Sequence, residues 1–192
     1  MNHLRTRTLL VALLAAAALA APAQAGPLAE LQTLNGKLTQ LAKQNASDAV
    51  LKAAANQLLD YDLLAQNTLK DHWSARSAAE RAEFTSLFRQ LVEKNYLKGL
   101  RSNSDYTVTY LKEQISGNTA TVSSKAKGMR KGRVQEVEVV YRMSRQNGRW
   151  VVHDVVTDDV SMEQNYRNSF NRIIKDKGWS DLIAKLKKKL AA

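Results

Sequence analysis

Apolar residues along this chain change their spacing twice, and the two changes narrow the folds open to it. Up to about residue 100 they recur every three or four positions. Leu28, Leu31, Leu34, Leu38 and Leu41 stand on one face of a first helix, with polar residues between them. An alanine-rich stretch from about Ser47 to Leu59 predicts a second helix, and Tyr61 to about Trp73 a third. Ser77 followed by Glu80 is a capping-box signature. It opens a long helix with Phe84, Leu87, Phe88, Leu91 and Tyr96 on one side and Gly99 as its expected stop.

From Tyr106 the period becomes two. Tyr106, Val108 and Tyr110 alternate with threonines in a first strand, and Gly117-Asn118 marks a turn. Thr119 to Lys125 reads as a second strand, and Val137, Val139, Tyr141 and Met143 as one face of a third. Asn147-Gly148 is a hairpin signal, and Trp150 to Thr157 is the fourth strand. Helical spacing then returns. Ser161 and Gln164 form a second capping signature, ahead of helices expected at 162–177 and 181–190. Helices, a meander and helices again predict an α+β domain with a four-stranded antiparallel sheet. Its parts are a helical region at 26–100, a sheet at 105–158 and closing helices at 162–190.

The first residues have a different pattern. Arg5 and Arg7 precede an apolar run from Leu9 to Ala21, and Ala23-Gln24-Ala25 is a small-x-small cleavage site. Residues 1–25 therefore read as a cleavable signal peptide, with 26–192 as a single mature domain. The apolar run is too short to span a bilayer comfortably. The chain has no cysteine. No lipid anchor on an N-terminal cysteine is expected, and an exported fold must rest on its core rather than on disulfides. The formal charge of +11 raises the question of nucleic acid. Export argues against that partner and for anionic head groups or an acidic protein surface.

Catalytic patterns are missing. There is no H-E-x-x-H, no G-x-S-x-G and no phosphate-cradling glycine loop, and no metal site is expected. Asp154 with Tyr141 or Tyr110 could form an acid–base pair in a pocket. The alternative for Asp154 is a strand residue that ties down the following loop. Asp158-Asp159 reads as a turn rather than a cation site, because calcium wants six to eight oxygens.

The block from Trp150 to Phe170, WVVHDVVTDDVSMEQNYRNSF, has its parts in an informative order. It resembles the W-x-x-x-D-V…V-S-x-x-x-N-Y-R-x-x-F pattern of the MlaC-type periplasmic phospholipid carriers, also called the toluene-tolerance or ABC-transporter auxiliary family. An earlier block agrees: Tyr61-Asp62, Leu69, Trp73, Phe84, Phe88, Leu91 and Tyr96. So does a later one, Gly178, Leu182-Ile183 and Leu186. Lys70 and Asp159 depart from the pattern, since each stands where the family usually has glycine.

The resemblance implies a curved sheet wrapped by helices, similar to a nuclear-transport-factor-like cone with an added helical lobe. It implies a carrier rather than an enzyme, with phospholipid as cargo and no cofactor. The route would run through the periplasm of a Gram-negative bacterium. One partner would be an outer-membrane lipoprotein–porin complex. The other would be an inner-membrane ABC transporter with its substrate-binding membrane protein. Some relatives are associated with hopanoids or other apolar lipids, which leaves a second cargo class open. The apolar faces supply the candidate lipid contacts: Phe84, Phe88, Leu91, Tyr96, Val137, Val139, Tyr141, Tyr166, Phe170 and Ile174. Such stripes more often fill a packed core, and the sequence alone does not separate the two. Lys127, Arg130, Lys131 and Arg133, crowded around Gly128 and Gly132, are candidates for head-group or partner contact, or for a solvated turn.

Overall fold

The computed structural model describes residues 25–191 apart from 104 and 131. The expected signal peptide thus lies outside the described residues except for Ala25. So do Lys131 and the side chain of Arg130. Four helices come first: α1 (Pro27–Lys43), α2 (Asp48–Leu58), α3 (Tyr61–Leu69) and α4 (Ala78–Ser102), with a 3-10 turn at Lys70–His72. The strands are β1 (Thr107–Ser116), β2 (Thr119–Arg130), β3 (Arg133–Gln146), β4 (Arg149–Thr157) and β5 (Val160–Ser161). Helices α5 (Met162–Lys177) and α6 (Trp179–Ala191) follow. Among the described residues, no helix is long and apolar enough to cross a membrane.

Short polar side chains start most of these helices. Ser47, Asp60, Ser77 and Ser161 each accept a hydrogen bond from the backbone N–H three residues on. At Ser77 the box is complete, because its own N–H donates to Glu80 Oε2 at 2.8 Å. Gly99 does not stop α4, which runs on to Ser102. A glycine costs a helix interior under about 1 kcal/mol, too little to end one that tertiary contacts hold.

The sheet is antiparallel in chain order, β1 to β5. It has five strands, not the four expected. The extra one is two residues long and overlaps a helix cap, so it has no period to read. The β2–β3 ladder also runs further than the alternation suggests, up to Arg130 opposite Arg133. Two register shifts bend the sheet. One leaves Leu111 unpaired in β1, and the other leaves His153 unpaired in β4.

Two layers share one core. The sheet contributes Ala120, Val122, Met143, Trp150 and Val152. The helices contribute Leu31, Leu38, Leu58, Leu69, Leu182 and Leu186, with an aromatic cluster between α4, α5 and α6. In that cluster Phe84 and Phe88 stack at 5.5 Å, and Phe170 meets both edge-on.

The sheet-to-helix corner turns on Asp154. Its side chain is fully buried and accepts from Arg142 Nη1 (2.9 Å), Ser161 Oγ (2.7 Å) and the Glu163 N–H (2.9 Å). Ser161 in turn accepts from the Gln164 N–H. Asp154 therefore holds both the last strand and the start of α5.

Lys70 and Asp159 adopt φ of +44° and +64°, a region that disfavours side chains. That is the conformation for which glycine is suited. Lys70→Gly should stabilise the protein by about 1 kcal/mol, because strain of about 1–3 kcal/mol is removed against a smaller entropy cost. Thermal melting should rise by about 2–4 °C, and a fall would show that the Lys70 backbone is not strained. Asp154→Ala should cost about 3 kcal/mol by leaving the Ser161 hydroxyl and the Glu163 N–H without an acceptor. Denaturant titration of the two proteins checks it.

Candidate functional site

Helix α1 lies across the bent sheet and is fastened at its N-terminal end. The Leu28 N–H donates to Glu113 Oε2 of β1 at 2.9 Å. Glu30 accepts from the Trp150 N–H (2.9 Å) and from Arg149 Nε (3.3 Å) at the start of β4. Leu31, Leu34, Leu38 and Ala42 turn inward. Further along, the helix stands away from the strands, and the gap is a large cavity.

That outer chamber has a volume of about 900 Å3, at the upper end of the usual range for ligand pockets. One wall is the polar flank of α1, with Gln32, Asn35, Thr39 and Lys43. Another is the end of α4, with Tyr96, Gly99 and Leu100. The floor is the inner face of the sheet: Val108 and Tyr110 of β1, Ala126 of β2, and Gln135, Val137, Val139 and Tyr141 of β3. Odd-numbered residues of β3 share this face because successive side chains alternate. Tyr106 adds to the floor. A Cβ on Gly128 would lie 2.1 Å from the Tyr106 ring, so only glycine lets that ring rest on the β2 backbone.

A smaller, more enclosed inner chamber of about 320 Å3 lies between Leu58 and Leu59, Val92 of α4, Val152 and Val155 of β4, and Met162 and Tyr166 of α5, and reaches the surface at Val160. Asn35, Tyr96, Tyr141 and Thr157 line both chambers. At this boundary Asn35 Nδ2 donates to the Tyr110 hydroxyl at 3.1 Å and to the Tyr141 hydroxyl at 3.3 Å. Burial pushes the Tyr141 phenol up to about 12, and raises Tyr110 as well. Tyr96 is raised further, by burial first and then by Tyr141 and its other phenol neighbours. These groups therefore keep their protons at neutral pH and act as neutral hydrogen-bonding groups in an apolar setting.

The residues expected at a lipid site divide between cavity and core. Tyr96, Val137, Val139 and Tyr141 line the outer chamber, and Tyr96, Tyr141 and Tyr166 line the inner one. Phe84, Phe88, Leu91 and Phe170 are buried in the core, and Ile174 packs at its margin. These five line neither chamber. The α4 stripe turns inward along its first four turns, and only its C-terminal end reaches open space. Asn35 and Lys43 were not anticipated. Asn35 had a signal in the sequence: it is a polar residue between Leu31 and Leu38, at the border where the apolar face of α1 meets its polar flank. Lys127 and Arg133 are exposed on the β2–β3 hairpin. Lys127 stands opposite Glu136, and Arg133 is on the same strand face as Gln135.

The structure does not bring Asp154 to the tyrosines. Asp154 is bonded to Arg142, Ser161 and Glu163, while Tyr110 and Tyr141 meet Asn35. Asp158 lies in the β4–β5 turn and accepts from the Glu138 N–H. No group of three or more metal-ligating side chains is gathered among the described residues. The chambers can thus enclose apolar chains beside neutral polar groups and the Lys43 ammonium.

Three comparisons with known proteins find similar chains. The intermembrane phospholipid transport system binding protein MlaC of Haemophilus influenzae is 24% identical over 136 residues, which is 68% of this chain. The chain spans 64% of that relative's length. A solved phospholipid-binding protein from Ralstonia solanacearum, in complex with a phospholipid, shares the fold with a TM-score of 0.75 at 18% identity. The match covers 87% of this chain and 98% of that one. The family model described as MlaC protein matches residues 30–188, and the chain therefore belongs to the MlaC family.

Proposed function

We propose that this protein binds phospholipid acyl chains in the outer chamber and carries them through the periplasm without altering them. The observation that carries this reading is the 900 Å3 chamber floored by Val108, Val137 and Val139 in a chain of the MlaC family. Exposing acyl chains to water costs about 0.8 kcal/mol per methylene. Two chains therefore need covering for the whole journey, and an apolar concave sheet under a helix offers that cover. The Ralstonia structure, a phospholipid-binding protein of the same fold, supports the same cargo class.

In this reading residues 26–192 work as one carrier domain after removal of 1–25. The donor and acceptor are an outer-membrane lipoprotein–porin complex and an inner-membrane ABC transporter with its substrate-binding membrane protein. The name of the Haemophilus relative, a binding protein of an intermembrane transport system, supports such a route. Lys127, Arg130, Lys131 and Arg133 serve head-group or partner contact. Arg133 suits this role because it stands on the strand face that leads into the chamber. Lys43, in the chamber wall, is a second cation for a phosphate.

Organic extraction of the purified protein, followed by mass spectrometry, should yield diacyl phospholipid. An extract without lipid, together with no uptake from vesicles, would overturn the reading, and a phosphorus-free lipid would move the cargo to the hopanoid class. Val139→Glu puts a charge on the chamber floor. It should lower bound lipid at least tenfold while circular dichroism stays unchanged. Delipidation should lower the melting temperature by about 5–10 °C, since saturating ligand adds about 3 kcal/mol by mass action. Calorimetry before and after extraction checks it.

A further inference from the structure

The two chambers are separated by a polar partition set in apolar surroundings. Asn35, Tyr96, Tyr141 and Thr157 line both sides. Asn35 comes from α1, Tyr110 from β1 and Tyr141 from β3, so the two hydrogen bonds of the Asn35 amide tie the helix to the sheet across the cavity. Beyond the partition the inner chamber is walled mainly by Leu58, Val92, Val152, Val155 and Met162, and its polar groups there, Asn95 and the Tyr166 hydroxyl, already bond each other. An amide that stands between two such spaces is poorly placed as a filler. It is well placed as a latch. Its two bonds are neutral, and the one to Tyr141 is long at 3.3 Å, so apolar burial beyond them can compete with them.

The volumes indicate what the latch would sort. A methylene fills about 30 Å3, close to the share of one water in the liquid. The outer chamber of about 900 Å3 then accepts about thirty methylenes, or two chains of about fifteen carbons. The inner chamber of about 320 Å3 adds about ten more. Longer chains therefore need the inner space.

We propose that Asn35, bonded to Tyr110 and Tyr141, is the chain-length determinant of this carrier. Diacyl lipids that fill the outer chamber bind with the latch closed. Lipids with longer chains bind only by displacing the Asn35 amide and passing their ends between Tyr96, Tyr141 and Thr157. The proposal rests on the carrier reading above.

The test presents the delipidated protein with vesicles holding equal amounts of dimyristoleoyl, dipalmitoleoyl and dieicosenoyl phosphatidylglycerol. Bound lipid is then extracted and weighed by mass spectrometry. The native protein should favour dipalmitoleoyl over dieicosenoyl lipid. Asn35→Ala should shift the ratio toward the longer lipid about fivefold. Tyr110→Phe removes one of the two bonds with almost no change in volume. It should shift the ratio the same way by about twofold, and it decides the matter if Asn35→Ala fails to fold. Adding Val155→Phe to Asn35→Ala refills the inner chamber and should restore the native ratio. Lipid bound by all variants in an unchanged ratio overturns the latch alone. Native protein that takes up none of the three lipids overturns the carrier reading on which it rests.

Discussion

Two carboxylates decide where α1 stands. Glu113 of β1 receives the Leu28 N–H, and Glu30 of α1 receives the Trp150 N–H and Arg149 of β4. The first turn of the helix is thus pinned to both β1 and β4, and hydrogen bonds to a charged acceptor are about twice as strong as neutral ones. Pinning at one end keeps the helix from settling into the trough of the sheet along its whole length. Leu31, Leu34 and Leu38 still reach the core. Past them the sheet curves away, and space remains over Val137 and Val139. The cavity is a result of this geometry. A helix free to slide would be expected to collapse onto those valines.

The far end of β4 has its own fixture. Asp154 sits in full burial between a half-exposed arginine and the first turn of α5. A buried carboxylate is tolerated only when its lone pairs are used, and here three donors use them. Because α5 starts from this point, the inner-chamber residues Met162 and Tyr166 are placed by Asp154, although it touches neither chamber.

Much of this arrangement could be read from residue order. Periodicity located the six α-helices and the four long strands of the described residues, and Ser77 and Ser161 marked their helix starts correctly. Lys70 and Asp159, departures from the family's glycines, fall at positive φ, so a difference in residue type pointed to real backbone geometry. The cavity was harder to find. Phe84 and Tyr96 belong to one stripe, yet one lies in the core and the other in the chamber wall. Helical spacing gives the face of a residue but not what fills the space opposite. That depends on the bends at Leu111 and His153 and on the tilt of α1, which are long-range outcomes. Val160-Ser161 was missed as a strand because two residues carry no alternation.

The contact between Gly128 and Tyr106 has a consequence for how such a carrier could change over time. The ring lies where the first carbon of any other side chain would be. A larger residue at 128 would lift Tyr106 off β2 and into the outer chamber, as a plug held from behind. Cargo capacity could therefore shrink through one substitution, with every residue that now faces the lipid space kept as it is. The size of the compartment is written partly in an atom that is not there.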